Sequence, residues 1–299
     1  MEEPTLHFND PVWRPPYEAT SQLLQVTSGC TWHRCKFCTV DKEQKFRLSP
    51  MDEIETDLRV IHKWQPRAHR VFLTGANPFV LSVNRLTDIA LLVRKYVGDG
   101  HPTIGCFSRI TDIRSKSVEE LQQLHHLGFD FLTIGVESGD SETLHRMNKG
   151  YMSADVVEQC LKLEKAGIRY NIFYIAGLAG HGNGYRNASR SVNVFNQLHP
   201  ACVLIMSLTI FPESLLYQEV QTGEFQEPTE YERIDEIICL IENMECNTHI
   251  MGRTVSNPIP FTGYLPTDRN ILLKELCMMK ELFSEEQLKT YRDKIGGFY

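Results

Sequence analysis

Leu23-Leu-Gln-Val-Thr-Ser-Gly-Cys30-Thr-Trp-His-Arg-Cys35-Lys-Phe-Cys38 is the stretch that decides how this chain is read. Leu23–Ser28 has the apolar and β-branched character of a strand. It runs directly into a loop carrying Cys30, Cys35 and Cys38. Three thiolates on one short loop can hold an iron–sulfur cluster and leave one iron open for chemistry, whereas ordinary electron-transfer clusters take four cysteines. Structural zinc is the alternative. Zinc takes four ligands, usually as two close-spaced pairs. Here there is one trio and no second pair, and His33 as a fourth ligand would be cramped. The pattern favours a [4Fe–4S] cluster with an exchangeable fourth position.

Outward from this loop, apolar runs alternate with helical patterns. Strands are predicted at Leu23–Ser28, Val71–Gly75, Thr103–Ser108, Phe131–Glu137, Tyr170–Ala176 and Val203–Phe211. Ser49-Pro50-Met51-Asp52 reads as an N-cap, a proline at N1 and an acidic first turn, opening a helix to about Trp64. Ser117-x-x-Glu120 is a capping-box pattern. Further helices are expected over Ser153–Ala166, across Ser191–Leu198, and over 228–245 and 266–295, the last two joined by the Pro/Gly-rich link Asn257–Pro266. Ser284-Glu-Glu-Gln287 caps the final helix. Six strand-then-helix steps imply a parallel sheet, because parallel neighbours need crossovers. Six are too few for a closed eight-unit barrel. The expected fold class is α/β, a partial (β/α)6 TIM-type barrel over residues 1–212. Residues 213–299 form a C-terminal helical extension that closes the barrel mouth and is not an independent domain.

The 299 residues are 42% hydrophobic and 23% charged, a globular composition. The net charge is −7 and the pI near 5.9. That argues against a partner gripped through phosphates, so nucleic acid is not the expected substrate. No apolar run reaches the roughly eighteen residues of a membrane helix. The acidic Met-Glu-Glu-Pro-Thr start lacks a signal-peptide core, so a cytoplasmic protein is expected. Nine cysteines in uneven spacing do not read as a disulfide framework. Cys106, Cys160, Cys202, Cys239 and Cys277 are expected to be small buried hydrophobes. Cys246 lies in a polar stretch without an obvious partner.

The three-cysteine loop after a first strand, with the aromatic Phe37 just before Cys38, resembles the radical S-adenosylmethionine (SAM) superfamily. The resemblance covers roughly residues 20–212. The spacing here is four residues then two, one longer than the usual three then two. The other strand ends add to it. Thr74-Gly75-Ala76-Asn77 stands where many members carry Gly-Gly-Glu facing the SAM amino group, although such a stretch is also an ordinary turn. Ser108 and Arg109 end the third strand. Gly135-Val-Glu137-Ser138-Gly139 is similar to the segment in which a polar residue meets the SAM ribose. Lys149 stands at the spacing where coproporphyrinogen-oxidase-type members carry an arginine that pairs with the SAM carboxylate. The turn Gly177-Leu-Ala-Gly180-His-Gly182-Asn-Gly184 lacks dinucleotide-binding spacing, and His181, Asn183 and Arg186 on it are candidate substrate contacts. Ser207 and Thr209 share a face of the sixth strand, which is similar to the last barrel strand of Elongator-type and coproporphyrinogen-oxidase-type members. His249, Arg253, Asn257 and Tyr264 are candidate lid residues.

The resemblance implies metal ligands Cys30, Cys35 and Cys38, and SAM contacts Phe37, Gly75, Ala76, Asn77, Ser108, Arg109, Glu137, Ser138 and Lys149. It implies reductive cleavage of SAM to methionine and a 5′-deoxyadenosyl radical, which takes hydrogen from a substrate. The electron comes from an external donor such as flavodoxin or ferredoxin. A small organic substrate is expected, since no second cysteine cluster points to methylthiolation or peptide modification. Two other readings stand beside this one: a non-catalytic iron–sulfur or SAM-binding carrier or sensor, and a tRNA-modifying enzyme, which the acidic pI disfavours.

Overall fold

The computed structural model describes residues 5–9, 12–40, 44–98 and 101–295. The strands are β1 (Gln22–Gln25), β2 (Thr27–Ser28), β3 (Arg47–Leu48), β4 (Arg70–Thr74), β5 (Thr103–Ser108), β6 (Phe129–Glu137), β7 (Arg169–Ala176), β8 (Cys202–Ser207), β9 (Thr248–Met251) and β10 (Thr262–Leu265). β1 and β4 to β8 are each followed by helix before the next of them begins. This is the expected α/β order of a (β/α)6 partial barrel. The chain divides into two compact units. One comprises Met1–His33, Val40–Ile134 and Lys162–Tyr170, the other Arg34–Thr39, Gly135–Leu161 and Asn171–Tyr299.

In the first unit β1, β4, β5 and the start of β6 pair in parallel, with Gln25 beside Thr74 and Ser108 beside Ile134. Parallel pairing puts the carboxyl ends of these strands at one edge, where the cysteine loop begins. The opposite end is held by charge. Arg70, at the start of β4, donates from Nε and Nη2 to Glu18 at 2.8 and 2.6 Å and from Nη1 to Asp130 at 2.7 Å. Glu18 is only 2% exposed. In a barrel of this kind that end serves stability. Phe72 on β4 and Phe107 on β5 meet edge-to-face at 5.1 Å, and Tyr17, from the segment before β1, hydrogen-bonds Thr133 on β6.

In the second unit β7 and β8 pair in parallel, β8 pairs in parallel with β9, and β9 pairs antiparallel with β10. The last two strands correct the sequence reading, which placed only a link at Asn257–Pro266. They are four residues each, too short to show a period. The span 266–295 is two helices, Arg269–Leu282 and Glu285–Ile295. A helix at Leu215–Thr222 was not anticipated. It opens on Ser214, whose hydroxyl accepts from the Tyr217 amide.

Several boundaries differ. The expected Leu23–Ser28 strand breaks at Val26, and β2 pairs antiparallel with β3. β8 stops at Ser207, so Thr209 lies outside it. Ser49 does not cap the first long helix, Met51–Trp64. Pro50 occupies the cap position, and the Ser49 hydroxyl hydrogen-bonds His7 at 3.1 Å. The capping boxes at Ser117/Glu120 and Ser284/Gln287 form as expected. Cys106, Cys160, Cys202 and Cys239 are buried, as is Cys246, but Cys277 is exposed. It falls on the solvent side of Arg269–Leu282, whose buried face is Leu272 and Leu276. Among the described residues no helix is long and apolar enough to cross a membrane.

Candidate functional site

The cysteine loop starts with a position only glycine can hold. Gly29 has φ +70°, and a Cβ there would lie 2.7 Å from the Gln44 carbonyl oxygen. From this turn Cys30 leaves with its amide donating to His33 Nε2 at 3.0 Å, while the Trp32 amide donates to Cys30 Sγ at 3.4 Å. Gly75, just past β4, has φ +127°, and a Cβ there would meet Thr27 Oγ1 at 2.1 Å and Thr27 O at 2.7 Å. The chain therefore crosses β2 at a distance no side chain allows. The hydroxyls of Thr27 and Thr74 are buried without partners. Both line a small cleft of about 20 Å3 with Asn9, Trp13, Gln25 and Gln44, and none of its lining side chains is charged.

Asn77 is fully buried. Its Oδ1 accepts from the Thr31 amide at 3.3 Å. Its Nδ2 donates to Thr31 Oγ1 at 2.8 Å and to the Asp112 carboxylate at 3.1 Å. Asp112 in turn accepts from the Arg109 amide at 2.8 Å. Burial pushes the Asp112 carboxyl up, against the pull of these hydrogen bonds. Lys116 donates to the backbone oxygens of Phe79 and Asp112 at 2.7 and 3.1 Å, and burial lowers its pKa to about 8. Ser108 is buried with its hydroxyl donating to Arg109 O at 3.0 Å. The Arg109 guanidinium lies 4.8 Å from the Trp32 ring centre, a cation–π contact with the cysteine loop itself.

The later half of the loop belongs to the second unit. The Lys36 amide donates to Met147 O at 3.2 Å, and Lys36 O accepts from the Leu216 amide at 2.9 Å. The Lys36 ammonium pairs with Glu219. Phe37 packs on the cluster of Met147, Ile175, Leu178, Leu208, Leu216 and Phe225. Lys149 Nζ stands 5.6 Å from the Phe37 ring centre and 3.4 Å from Glu137 Oε1.

Glu137 ends β6 with φ +70°, a conformation that costs a non-glycine residue energy. Its Oε2 is buried without a hydrogen-bond partner. Gly135 makes room for the carboxylate, since a Cβ there would sit 2.8 Å from Glu137 Oε1. An acceptor of this kind can take a hydrogen bond from a water or a ligand. Ser138 is turned away into the protein. Its hydroxyl donates to Asn187 Oδ1 at 2.5 Å, and Asn187 Nδ2 donates to Glu236 Oε1 at 2.7 Å and to the Tyr174 hydroxyl at 3.0 Å. Glu236 also accepts from Tyr174 at 2.6 Å and, through Oε2, from the Gly177 amide at 2.8 Å. Complete burial pushes the Glu236 carboxyl up to about 7.

The remaining candidates are held by their neighbours. His181 pairs with Glu232 at 2.8 Å, and Asn183 donates to His181 O at 3.0 Å. Arg186 bridges Asp140 and Glu142 at 3.2 and 2.7 Å. His249 stacks on Tyr264 at 4.5 Å. Asn257 accepts from Ser207 Oγ and donates to Ile205 O and Gly252 O, all at 2.8 Å. Arg292, which no sequence signal singled out, donates to Leu208 O and pairs with the buried Glu230. Asp112, Asn187 and Glu236 were missed as well. Each is an ordinary polar residue in a helix, and nothing in a helical pattern marks its burial partner. Among the described residues no group of three or more His, Cys, Asp or Glu side chains surrounds a common metal position, so the joint ligation of one cluster rests on the spacing of the cysteines.

The family model of the radical SAM superfamily matches residues 24–185. The heme chaperone HemW of Bacillus subtilis (strain 168) is 20% identical over 221 residues, 72% of this chain and 58% of that protein. Among solved structures, coproporphyrinogen III oxidase (HemN) from Escherichia coli aligns with a TM-score of 0.56 at 15% identity, over 75% of this chain and 52% of that one. Elp3 from the archaeon Methanocaldococcus infernus, with an N-terminal deletion, aligns with a TM-score of 0.53 at 15% identity, over 88% and 64%. The chain therefore spans a little over half the length of the curated relative it matches. The structural likenesses show the fold. Members of the matched superfamily bind a [4Fe–4S] cluster and SAM. The match takes in the end of β1, the cysteine loop and the strand ends through Glu137 and Ala176, more than half of the sequence, and the chain belongs to the radical SAM superfamily.

Proposed function

We propose that this chain is a radical SAM enzyme whose cluster is held by Cys30, Cys35 and Cys38 and whose substrate is a small organic molecule. The observation that carries the reading is the cysteine trio itself. All three are partly exposed, while five of the six other cysteines are buried. Burial pushes the thiols of Cys202 and Cys246 up to about 12 and about 11, which suits them to packing and not to ligation.

The residues present fit the cofactors. Three thiolates match a cluster with one open iron, and the orphaned Glu137 Oε2 is an acceptor suited to a ribose hydroxyl. When bound, the cluster and SAM supply a 5′-deoxyadenosyl radical that takes hydrogen from substrate. The chain's own residues then have these roles. Gly75 and Ala76 bring backbone close to the SAM amino group, Phe37 backs the adenine, and Glu137 orients the ribose, while the Ser138 hydroxyl is spent on Asn187. By the resemblance Ser108 and Arg109 are further SAM contacts, and Lys149 is a point charge for the SAM carboxylate. The electron donor is an external reductant of the flavodoxin or ferredoxin kind.

Anaerobic reconstitution with iron and sulfide, followed by dithionite and SAM, tests the reading. About four irons per chain and release of 5′-deoxyadenosine are expected, both lost in the Cys30→Ala, Cys35→Ala and Cys38→Ala variants. A triple variant that still cleaves SAM sinks it. The similarity to a heme chaperone favours one second reading, a carrier that binds heme. A chain that takes up heme and assembles a cluster but never cleaves SAM under reduction would be that carrier.

A further inference from the structure

We propose that the Asn77 side chain is a positioning residue for the cysteine loop, clamping Thr31, the residue after Cys30, to the end of β4 and to the Asp112 carboxylate. This rests on the reading of Cys30 as a cluster ligand. The position corresponds to one where the superfamily often offers an acidic side chain to SAM, but here the amide is spent inside the protein. Both of its ends face Thr31: Oδ1 takes the backbone amide at 3.3 Å and Nδ2 gives to Oγ1 at 2.8 Å. The second hydrogen of Nδ2 goes to Asp112 at 3.1 Å. The amide keeps one orientation, because Asp112 Oδ2 already accepts from the Arg109 amide and the flipped side chain would turn its oxygen toward that acceptor. Asp112 is itself fixed by the Arg109 amide at 2.8 Å. The Arg109 guanidinium over Trp32 is a second grip on the same turn. Thr31 is thus the fixed first residue of a Cys30–Cys35 segment that is one residue longer than usual. A longer segment has more conformations to lose when its two cysteines are brought to one cluster. Pinning its first residue removes that freedom in advance, the way supporting hydrogen bonds orient other metal ligands.

The test compares the full-length chain with its Asn77→Ala, Thr31→Val and Thr31→Ser variants. Hydrogen exchange of the apo protein reads the clamp without any cofactor. The Thr31 amide is expected to exchange roughly tenfold faster in Asn77→Ala, the loss of about one hydrogen bond, while amides in β4 and β5 keep their rates. Thr31→Ser retains the hydroxyl and should match wild type; Thr31→Val should fall between. After reconstitution, Asn77→Ala should change the electron paramagnetic resonance spectrum of the reduced, SAM-free cluster, with SAM affinity moving by less than about twofold. Unchanged exchange at Thr31 overturns the proposal. So does a wild-type spectrum combined with weakened SAM binding, which would return the Asn77 side chain to the cofactor. If Asn77→Ala does not fold, Thr31→Val carries the same readouts. A wild-type chain that takes up no iron overturns the cluster reading, and the exchange measurement still decides the clamp.

Discussion

Replacing Glu236 by Gln should flatten the dependence of stability on pH. The Glu236 carboxylate is completely buried between Tyr174, Asn187 and the Gly177 amide, and its pKa rises from 4.5 to about 7. Burial is the main cause, and the hydrogen bonds offset only part of it. A carboxyl whose folded pKa lies above its unfolded value favours folding while protonated. That contribution is complete below about pH 4.5 and is lost as pH rises through about 7. At about 1.4 kcal/mol per unit, the loss across this window is about 3 kcal/mol. In a chain of this size that corresponds to roughly 6 °C in the unfolding midpoint. Glutamine cannot ionise, so its stability carries none of this slope. It also cannot accept at both ends, and one of the bonds from Gly177, Asn187 or Tyr174 is lost at every pH, costing about 1–3 kcal/mol. The Glu236→Gln variant should therefore melt below wild type at pH 5, with the gap narrowing by roughly 6 °C by pH 8. Thermal unfolding followed by circular dichroism at half-unit pH steps measures it. Asp57 and Asp112 are also raised and slope the same way, but they are common to both proteins and cancel in the difference. Parallel curves from pH 5 to 8 would refute the reasoning.

Three further outcomes are expected. Gly75→Ala should lower stability by at least about 2 kcal/mol, from the positive φ and the overlap with Thr27, and Thr27→Ala should rescue it only in part because the Thr27 carbonyl remains in the way; a midpoint equal to wild type contradicts the close crossing. Arg70→Ala leaves the buried Glu18 carboxylate without its cation and should destabilise by about 3–5 kcal/mol in denaturant unfolding, whereas the joint Arg70→Met, Glu18→Leu replacement should recover much of the loss. In the native chain iodoacetamide should alkylate Cys277 at least about a thousandfold faster than Cys106, whose thiol is buried and pushed up in pKa. Mass spectrometry of early time points reads this, and comparable rates would contradict the placement of Cys277.

The α/β order was legible because strands and helices leave local signatures. Thr103–Ser108 is a compact strand run, Ser117 and Glu120 satisfy each other three residues apart, and Gly29 and Cys30–Cys38 mark a turn and a donor set within one short stretch. The same locality explains the cysteine trio, whose ligating pattern is a spacing. What lay out of reach depends on residues far apart in sequence. Asn77 meets Thr31 across 46 residues and Asp112 across 35, and Glu236 meets Gly177 across 59. β9 and β10 are too short to show a period and exist because β8 offers β9 an edge to pair with. Ser49 carried a good capping signal, yet His7 took its hydroxyl. Cys277 sat in an apolar helical pattern, and only packing could say that Leu272 and Leu276 face inward instead. From the sequence alone come the kind of chemistry and the order of the elements, because both are written in near-neighbour spacing. Which polar groups are buried, which amide is spent on the cysteine loop and which acceptor at Glu137 is left unpaired were decided by tertiary structure, since burial and hydrogen-bond satisfaction belong to the folded environment and not to any residue.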